Sequence, residues 1–281
     1  MVQSEMKAEG KKISIKKLCK WFGIARSSVY YKPLKSKGKR SSRALDRVLT
    51  EKIRQILEEN PTYGVRRITA VIRNELKKSV NRKAVHRIIK ANGWQVRKKA
   101  SGFKQRARGM RSQTTAPNER WSIDATSIFC GEDGWCPLTA IIDCCDRHIV
   151  GWRLSRSGIS KHAAATLEEA LIGRKKELIP EKLVLRSDNG LIFGSKPFVK
   201  VAKEYGIEQE YITPYTPEQN GMVERFFRSL KEECVWQHRF KNRDEAFMAI
   251  ADWIDKYHKK RPHSALGYLT PEAYKKGLQA A

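Results

Sequence analysis

The sequence predicts two structural parts, a basic all-α region and, after it, a mixed α/β sheet domain. Three observations carry this. Apolar residues recur at helical spacing as far as Gly93, and from Arg120 onward short apolar strands alternate with helices. Charge divides at the same place: residues 1–118 hold 32 lysines and arginines against 7 aspartates and glutamates, whereas residues 119–281 hold 25 against 23. Hydrophobic residues make up 40% of the 281 and aromatics 9%, material for a core that a disordered basic tail would lack.

Ile13 to Lys32 reads as two short helices around Gly23, a helix-turn-helix outline. Pro33 to Ser42 is a basic linker. A helix over Asp46 to Asn60 follows, with Val48, Ile53, Ile56 and Leu57 as its apolar stripe, and the Asn60–Pro61 pair ends it. After Tyr63 and Gly64 comes a helix from Val65 to about Lys77, a turn at Ser79 to Asn81, and a second helix from Arg82 to about Asn92. Asn81 suits an N-cap and Gly93 a C-terminal stop. On that second helix Val85, Ile88 and Ile89 face inward, leaving Arg82, Lys83, His86, Arg87 and Lys90 outside. Such a basic face suits insertion into the major groove of DNA; the plainer reading is a helical hairpin with a solvated face. The implied divisions are residues 1–42, a helix-turn-helix domain at 43–95, a basic linker at 96–118 and a sheet domain at 119–281.

In the sheet domain, strands are expected over Trp121 to Cys130, Trp135 to Asp143 and Ile149 to Leu154, with a hairpin turn at Gly131 to Gly134. Then come a helix over Lys161 to Arg174, a buried-type strand at Leu183 to Leu185 ending at Asp188, and a helix over Pro197 to Tyr205. A last strand at Glu210 to Thr213 precedes helices from about Glu218 to Trp236 and from Arg243 to Tyr257. Three antiparallel strands followed by alternating helices and strands make a mixed sheet.

Positive charge this concentrated is the footprint of a polyanion binder; the bland alternative is a solvated basic surface or a ribosome-associated tail. No apolar run approaches the roughly 18 residues of a membrane span, and Met1 to Lys12 lacks the apolar core of a secretory signal, so a cytoplasmic, nucleoid-associated chain is expected. The six cysteines form no CxxC pair and no zinc-ligand spacing, and are expected to be reduced, structural thiols.

Three acids stand out by location. Asp124 lies within the first strand, Asp188 at the end of a buried-type strand, and Glu224 inside a helix, beside its stripe of Val223, Phe227, Leu230 and Cys234. A charge in or at the end of a core strand is costly unless paired or metal-bound. No cysteine or histidine accompanies them, and all-oxygen donors favour Mg²⁺ or Mn²⁺ over zinc. Three carboxylates can hold two such ions. Asp143 and Asp146, flanking the second strand's end, read as turn or surface residues.

Thirty-five residues separate Asp188 from Glu224. Around them stand Trp121 to Thr126, Ser187-Asp188-Asn189-Gly190, Thr216 to Gly221, Lys231 seven positions after Glu224, Tyr257, Arg261-Pro262-His263, Leu266-Gly267-Tyr268 and Thr270-Pro271. From Arg120 to Tyr274 the chain resembles the catalytic domain of retroviral-integrase-type DDE transposases, most nearly the second-reading-frame (OrfB-type) proteins of the two-frame bacterial insertion-sequence family. The resemblance implies an RNase H-like fold with a five-stranded sheet, and Asp124, Asp188 and Glu224 as ligands of two metal ions. It also implies metal-dependent cleavage and strand transfer of DNA, with water or a DNA 3′-OH as nucleophile and no covalent protein–DNA intermediate.

The neighbours carry two readings each. Lys231 holds a DNA phosphate or is a surface lysine. Asn189 and Asn220 orient metal-bound water or DNA, and for Asn220 a helix N-terminal role serves equally. Arg261 and His263 contact DNA or cap the preceding helix. The partners expected are double-stranded DNA at element ends and target, further copies of the chain in a synaptic complex, and an OrfA-type segment, since the chain begins at its own Met1 and has no leucine heptad run. The alternatives are a DNA-binding regulator inactive without that segment, and a related RNase H-like nuclease.

Overall fold

The computed structural model describes residues 10, 13–31, 45–77, 79–96, 114–158, 160–174, 182–213 and 216–279, which fall into two compact units, residues 1–45 and 46–281. In the first unit, Ser14 caps α1 (Ile15–Trp21) by accepting the Lys17 N–H, and Gly23 at φ +60° turns the chain into the short α2 (Arg26–Val29). Neither helix buries a residue. Most of the expected linkers, 33–42 and 96–118, lies outside the described residues.

The second unit begins with a three-helix cluster. Asp46 caps α3 (Arg47–Glu59) through the Leu49 N–H at 3.1 Å, and Asn81 caps α5 (Arg82–Ala91) through the Lys83 N–H at 2.8 Å. Between them runs α4 (Val65–Leu76). Ile53 and Ile56 of α3, Ile68 and Ile72 of α4, and Val85, Ile88 and Ile89 of α5 form its core with Tyr63. Val48, expected in the α3 stripe, is 81% exposed; Leu49, one residue on, packs against the core instead. The Arg73 guanidinium donates twice to the Val80 carbonyl, bracing the α4–α5 turn.

The sheet comprises β1 (Arg120–Phe129), β2 (Trp135–Asp143), β3 (Ile149–Leu154), β4 (Val184–Ser187) and β5 (Glu208–Tyr211), in the order β3-β2-β1-β4-β5. β1 to β3 are antiparallel neighbours, while β4 runs parallel to both β1 and β5. Five helices follow or intervene: α6 (Ser160–Arg174), α7 (Lys196–Glu204), α8 (Gly221–Glu233), α9 (Arg243–Lys259) and α10 (Pro271–Gln279). Strand alternation sends Trp121, Ile123 and Ile141 to one face, against α6 and α7, and Ile128, Leu138 and Ile142 to the other, against α8 and α9. Gly151 lets β3 lie flat on α6, because a Cβ there would come within 2.9 Å of the Ala170 Cβ.

Two boundaries differ from expectation. β5 starts two residues early because Gly206, at φ +66°, reverses the chain after α7 and buries Ile207 at once. The helix expected over residues 218–236 is α8 flanked by 3₁₀ turns at Pro217–Asn220 and Val235–Gln237, its end set by the non-helical Cys234.

Asp143 ends β2 and Asp146 lies in the turn that follows, but neither is at the surface: both are fully buried. Asp143 accepts the backbone N–H groups of Asn118 at 2.7 Å and Cys145 at 2.8 Å; Asp146 accepts that of His148 and pairs with Arg174 at 3.2 Å. They satisfy donors the turn would otherwise leave orphaned inside the protein. All six cysteines are unpaired, and burial pushes the Cys144 thiol up to about 12, which makes it inert. Among the described residues no helix is long and apolar enough to cross a membrane.

His148 and His258 stack beneath this turn, ring centroids 3.7 Å apart, and the Ile149 N–H donates to His258 Nε2 at 2.9 Å. That bond requires a neutral ring. Burial, with His148, Arg174, Lys259 and Lys275 around it, pushes His258 down from 6.5 to about 3. The unfolded chain therefore takes up a proton below about pH 6.5 that the folded ring refuses, so stability is lost as pH falls from 6.5 toward 3. Denaturant melts at pH 7 and pH 5 should show the loss, at most about 1.4 kcal/mol per pH unit from this ring. H258Q should flatten the slope; an unchanged slope would remove His258 as its source.

Candidate active site

β1 pairs with β4 only from Arg120 to Ser122, opposite Val184 to Arg186, and beyond that point the two strands diverge. Continuing the register by two residues sets Asp124 beside Asp188, just past the end of β4. Divergence of parallel neighbours at their carboxyl ends opens the crevice where sheets of this kind bind ligands.

α8 crosses the same opening. Ser122, Asp124 and Thr126 share one face of β1, and the helix is tied to it at two points. At its start, Ser122 donates to Asn220 Oδ1 while Asn220 Nδ2 donates to the Ile123 carbonyl at 3.2 Å. Further along, Lys231 Nζ donates to Thr126 Oγ1 at 2.6 Å. Asp124 lies between these ties, about 7 Å along the strand from Ser122, and Glu224 about 6 Å along the helix from Asn220. The third acid is thereby brought over the first.

Electrostatics agree with this placement. Burial first, then the charges of Asp188 and Glu224, push Asp124 up from 3.8 to about 6, against the pull of the Ala125 N–H and Lys231. Asp124 Oδ1 accepts the Ala125 N–H at 2.8 Å and Asp188 Oδ1 the Gly190 N–H at 3.0 Å, so each carboxylate is oriented by backbone and keeps its other oxygen for a ligand. Among the described residues no three His, Cys, Asp or Glu side chains close up as a metal-binding group as they stand.

The other expected residues divide. Lys231 is half-buried beside Asp124, held by Thr126, and is no mere surface lysine. Asn189 is exposed and donates to the Ile212 carbonyl at 2.9 Å. Asn220 is 2% exposed; it stands at the N-cap of α8 without capping it, because its side chain is engaged with β1, which leaves no reach to DNA or water. Arg261 is 5% exposed, and its guanidinium donates to Glu233 at 2.8 Å and to Ser229 at 3.1 Å rather than facing a DNA groove; its backbone N–H closes α9 on Lys256. His263 packs edge-on to Tyr257, and burial with Arg261, Arg67 and Arg147 pushes it down to about 2, so the ring is neutral. Arg82, Lys83, His86, Arg87 and Lys90 are all exposed on α5.

The sequence reading missed Thr126 and the half-buried Glu233, which receives Arg67 of α4 at 2.8 Å as well as Arg261. Arg67 and Glu233 are 166 positions apart, and no local pattern joins them. A carboxylate one residue before the end of the α8 apolar stripe was the only available hint.

The mixed five-stranded sheet thus carries its acids around the opening where the parallel strands part. Two models of the integrase core domain match the chain, over residues 114–217 and 205–271, and an HTH-like domain model matches residues 44–101. The chain is 27% identical over 247 residues to the transposase InsD of insertion element IS2A/D/F/H/I/K from Escherichia coli, covering 84% of this chain and 81% of that protein. It is equally similar to the transposase InsD of IS2-9 from E. coli strain K12, at 27% over 84% of this chain and 80% of the other. Among solved structures it resembles the BIV integrase catalytic core domain (21% identity, TM-score 0.43, 58% of this chain and 97% of that one). It also resembles the HTLV-2 integrase catalytic core domain in complex with magnesium (16%, TM-score 0.40, 58% and 99%). The chain is thus similar to proteins with an integrase core domain, and the relatives it matches over most of its length are transposases.

Gly190 offers a test of carboxylate geometry. A Cβ there would lie 2.9 Å from Asp188 Oδ1, so G190A would displace the carboxylate without opening the core. DNA cleavage should fall by about 10- to 100-fold with an unchanged melting temperature, as for other changes to groups that orient a ligand. Full activity would show that Asp188 need not hold this position.

Proposed function

We propose that the protein cuts and rejoins DNA at the ends of an insertion sequence, with Asp124, Asp188 and Glu224 as the ligands of two divalent ions, Mg²⁺ or Mn²⁺. The observation that carries this is the convergence of three acids on the opening between β1 and β4, close enough that Asp188 and Glu224 raise Asp124. The donor set fits: all ligand atoms are carboxylate oxygens, the preference of hard cations. When bound, such ions activate the attacking oxygen and stabilise the leaving one.

The chain's own residues do the rest. The Ala125 and Gly190 N–H groups hold two of the carboxylates in orientation. Lys231, fixed by Thr126, sets a positive charge beside them for a substrate phosphate. The exposed basic face of α5 grips duplex DNA, with Asn189 a further contact at the opening. No tyrosine or serine is required as a nucleophile. Joining two element ends to a target calls for several protomers in one synaptic complex, and an OrfA-type segment, fused or separate, is the expected partner.

The experiment is Mg²⁺-dependent cleavage and joining of DNA carrying element ends, with wild type beside D188N and E224Q. Both variants should bind DNA and neither should cut it. EDTA should silence the wild type, and Mg²⁺ or Mn²⁺ should restore it. Cleavage by either variant, or cleavage indifferent to EDTA, would refute the carboxylate assignment.

A further inference from the structure

Two cavities lie side by side where the helical cluster meets the sheet domain, and they share Arg66 and Tyr268. The smaller, about 590 Å³, reaches Arg82 and Lys83 at the start of α5. The larger, about 820 Å³, is bounded by Arg147 of the β2–β3 turn and by Met222 and Arg225 of α8, on the flank of that helix away from Glu224. Together they form one trough from α5 to α8. No aspartate or glutamate is among the described residues lining either part.

The positive charge along it is poorly compensated. Glu233 stands behind the wall, but it already receives two arginines, Arg67 and Arg261. Arg147 Nε is buried with no hydrogen-bond partner, and its Nη1 rests on the thioether of Met222, a weak acceptor. An orphaned guanidinium donor in a concave site is costly unless something else satisfies it. Arg147 and Tyr268 are also strained: at φ +62° and +68° they are two of the four non-glycine residues in the left-handed region among those described. Strain of this kind collects where a side chain must be aimed.

We propose that this trough binds the sugar–phosphate backbone of the same DNA segment that α5 engages, through Arg66, Arg147 and Arg225, with Tyr268 between its two halves. The inference rests on the DNA-acting reading above and adds a path to it: duplex leaving the groove of α5 is carried along the trough to the helix that bears Glu224. Phosphate oxygens would accept from the guanidinium groups of Arg66, Arg147 and Arg225 at the trough surface, whose planar forks match them.

The test uses the full chain carrying E224Q, so that binding is read without cleavage. Fluorescence anisotropy is followed against salt on random-sequence duplexes of about 10 and about 30 base pairs, one and three helical turns. On the long duplex, R66Q/R147Q/R225Q should bind at least about tenfold more weakly, and the slope of log K against log salt should shrink by about three, one per phosphate contact. On the short duplex, filled by α5 alone, the triple variant should match its parent. K203Q, exposed on α7 across the sheet, should change neither. Unaltered binding on the long duplex, or an equal loss on both lengths, would overturn the trough. If the parent bound neither duplex, the DNA-acting reading would fall with it. Arg66 and Arg225 are exposed, so R66Q/R225Q keeps the test decisive, with a slope change of about two, should R147Q not fold.

Discussion

Carboxylates that repel one another stay together only if something stronger holds their backbones. Two unit charges about 4 Å apart interact by roughly 4 kcal/mol near a protein surface, comparable with several net hydrogen bonds. The scaffold meets that demand outside the acid cluster. β1 is an interior strand, paired to β2 along its whole length and to β4 at its start, so Asp124 cannot withdraw without breaking the sheet. α8 buries Val223, Phe226, Phe227 and Leu230 against the sheet face that carries Asp124, which prevents Glu224 from swinging away. The protein thus holds an unfavourable charge arrangement ready-made, as electrostatic catalysis requires.

The helical cluster is joined to this scaffold by a second charged group of the opposite design. Glu233 is held between Arg67 and Arg261, a carboxylate satisfied three times over at 2.8 Å. Removing Glu233 would leave two neighbouring guanidinium groups without their shared acceptor, whereas removing either arginine leaves the carboxylate paired with the other. The clamp places α4 against the last turn of α8, so the basic helices and the acid cluster share one structural element. Arginine does this well, because its fork lets one carboxylate be shared without loss of geometry.

How much was legible follows from the range of each interaction. Strand alternation, turn residues and caps are local, and the five strands, the Asn81 cap and the outward basic face of α5 were all readable. The three acids were singled out because strand ends and helix spacing locate them and their neighbours resemble a known pattern; in the structure Asp188 and Glu224 lie near enough to Asp124 to raise it. Asn220 and Arg261 were each given a DNA contact or a helix-end role, and Asp143 and Asp146 a turn or surface place; all four are buried, held by partners remote in sequence. Asn220 finds Ser122 across 98 positions, and Arg261 finds Glu233 across 28. Val48 failed differently, since a stripe one residue wide does not say which of two adjacent apolar side chains faces in.

The Asn220 tie has a bearing on how this chain can change. It indexes α8 at its first turn against β1, so the rotation of Glu224 is set by the four residues from Asn220 to Glu224 and not by the length of the connection from β5. One residue inserted ahead of the 3₁₀ turn could be absorbed as slack. The same insertion between Asn220 and Glu224 would turn the carboxylate about 100° around the helix axis and carry it off the opening. Length variation among descendants of such a sequence is therefore tolerated upstream of the peg and forbidden downstream of it.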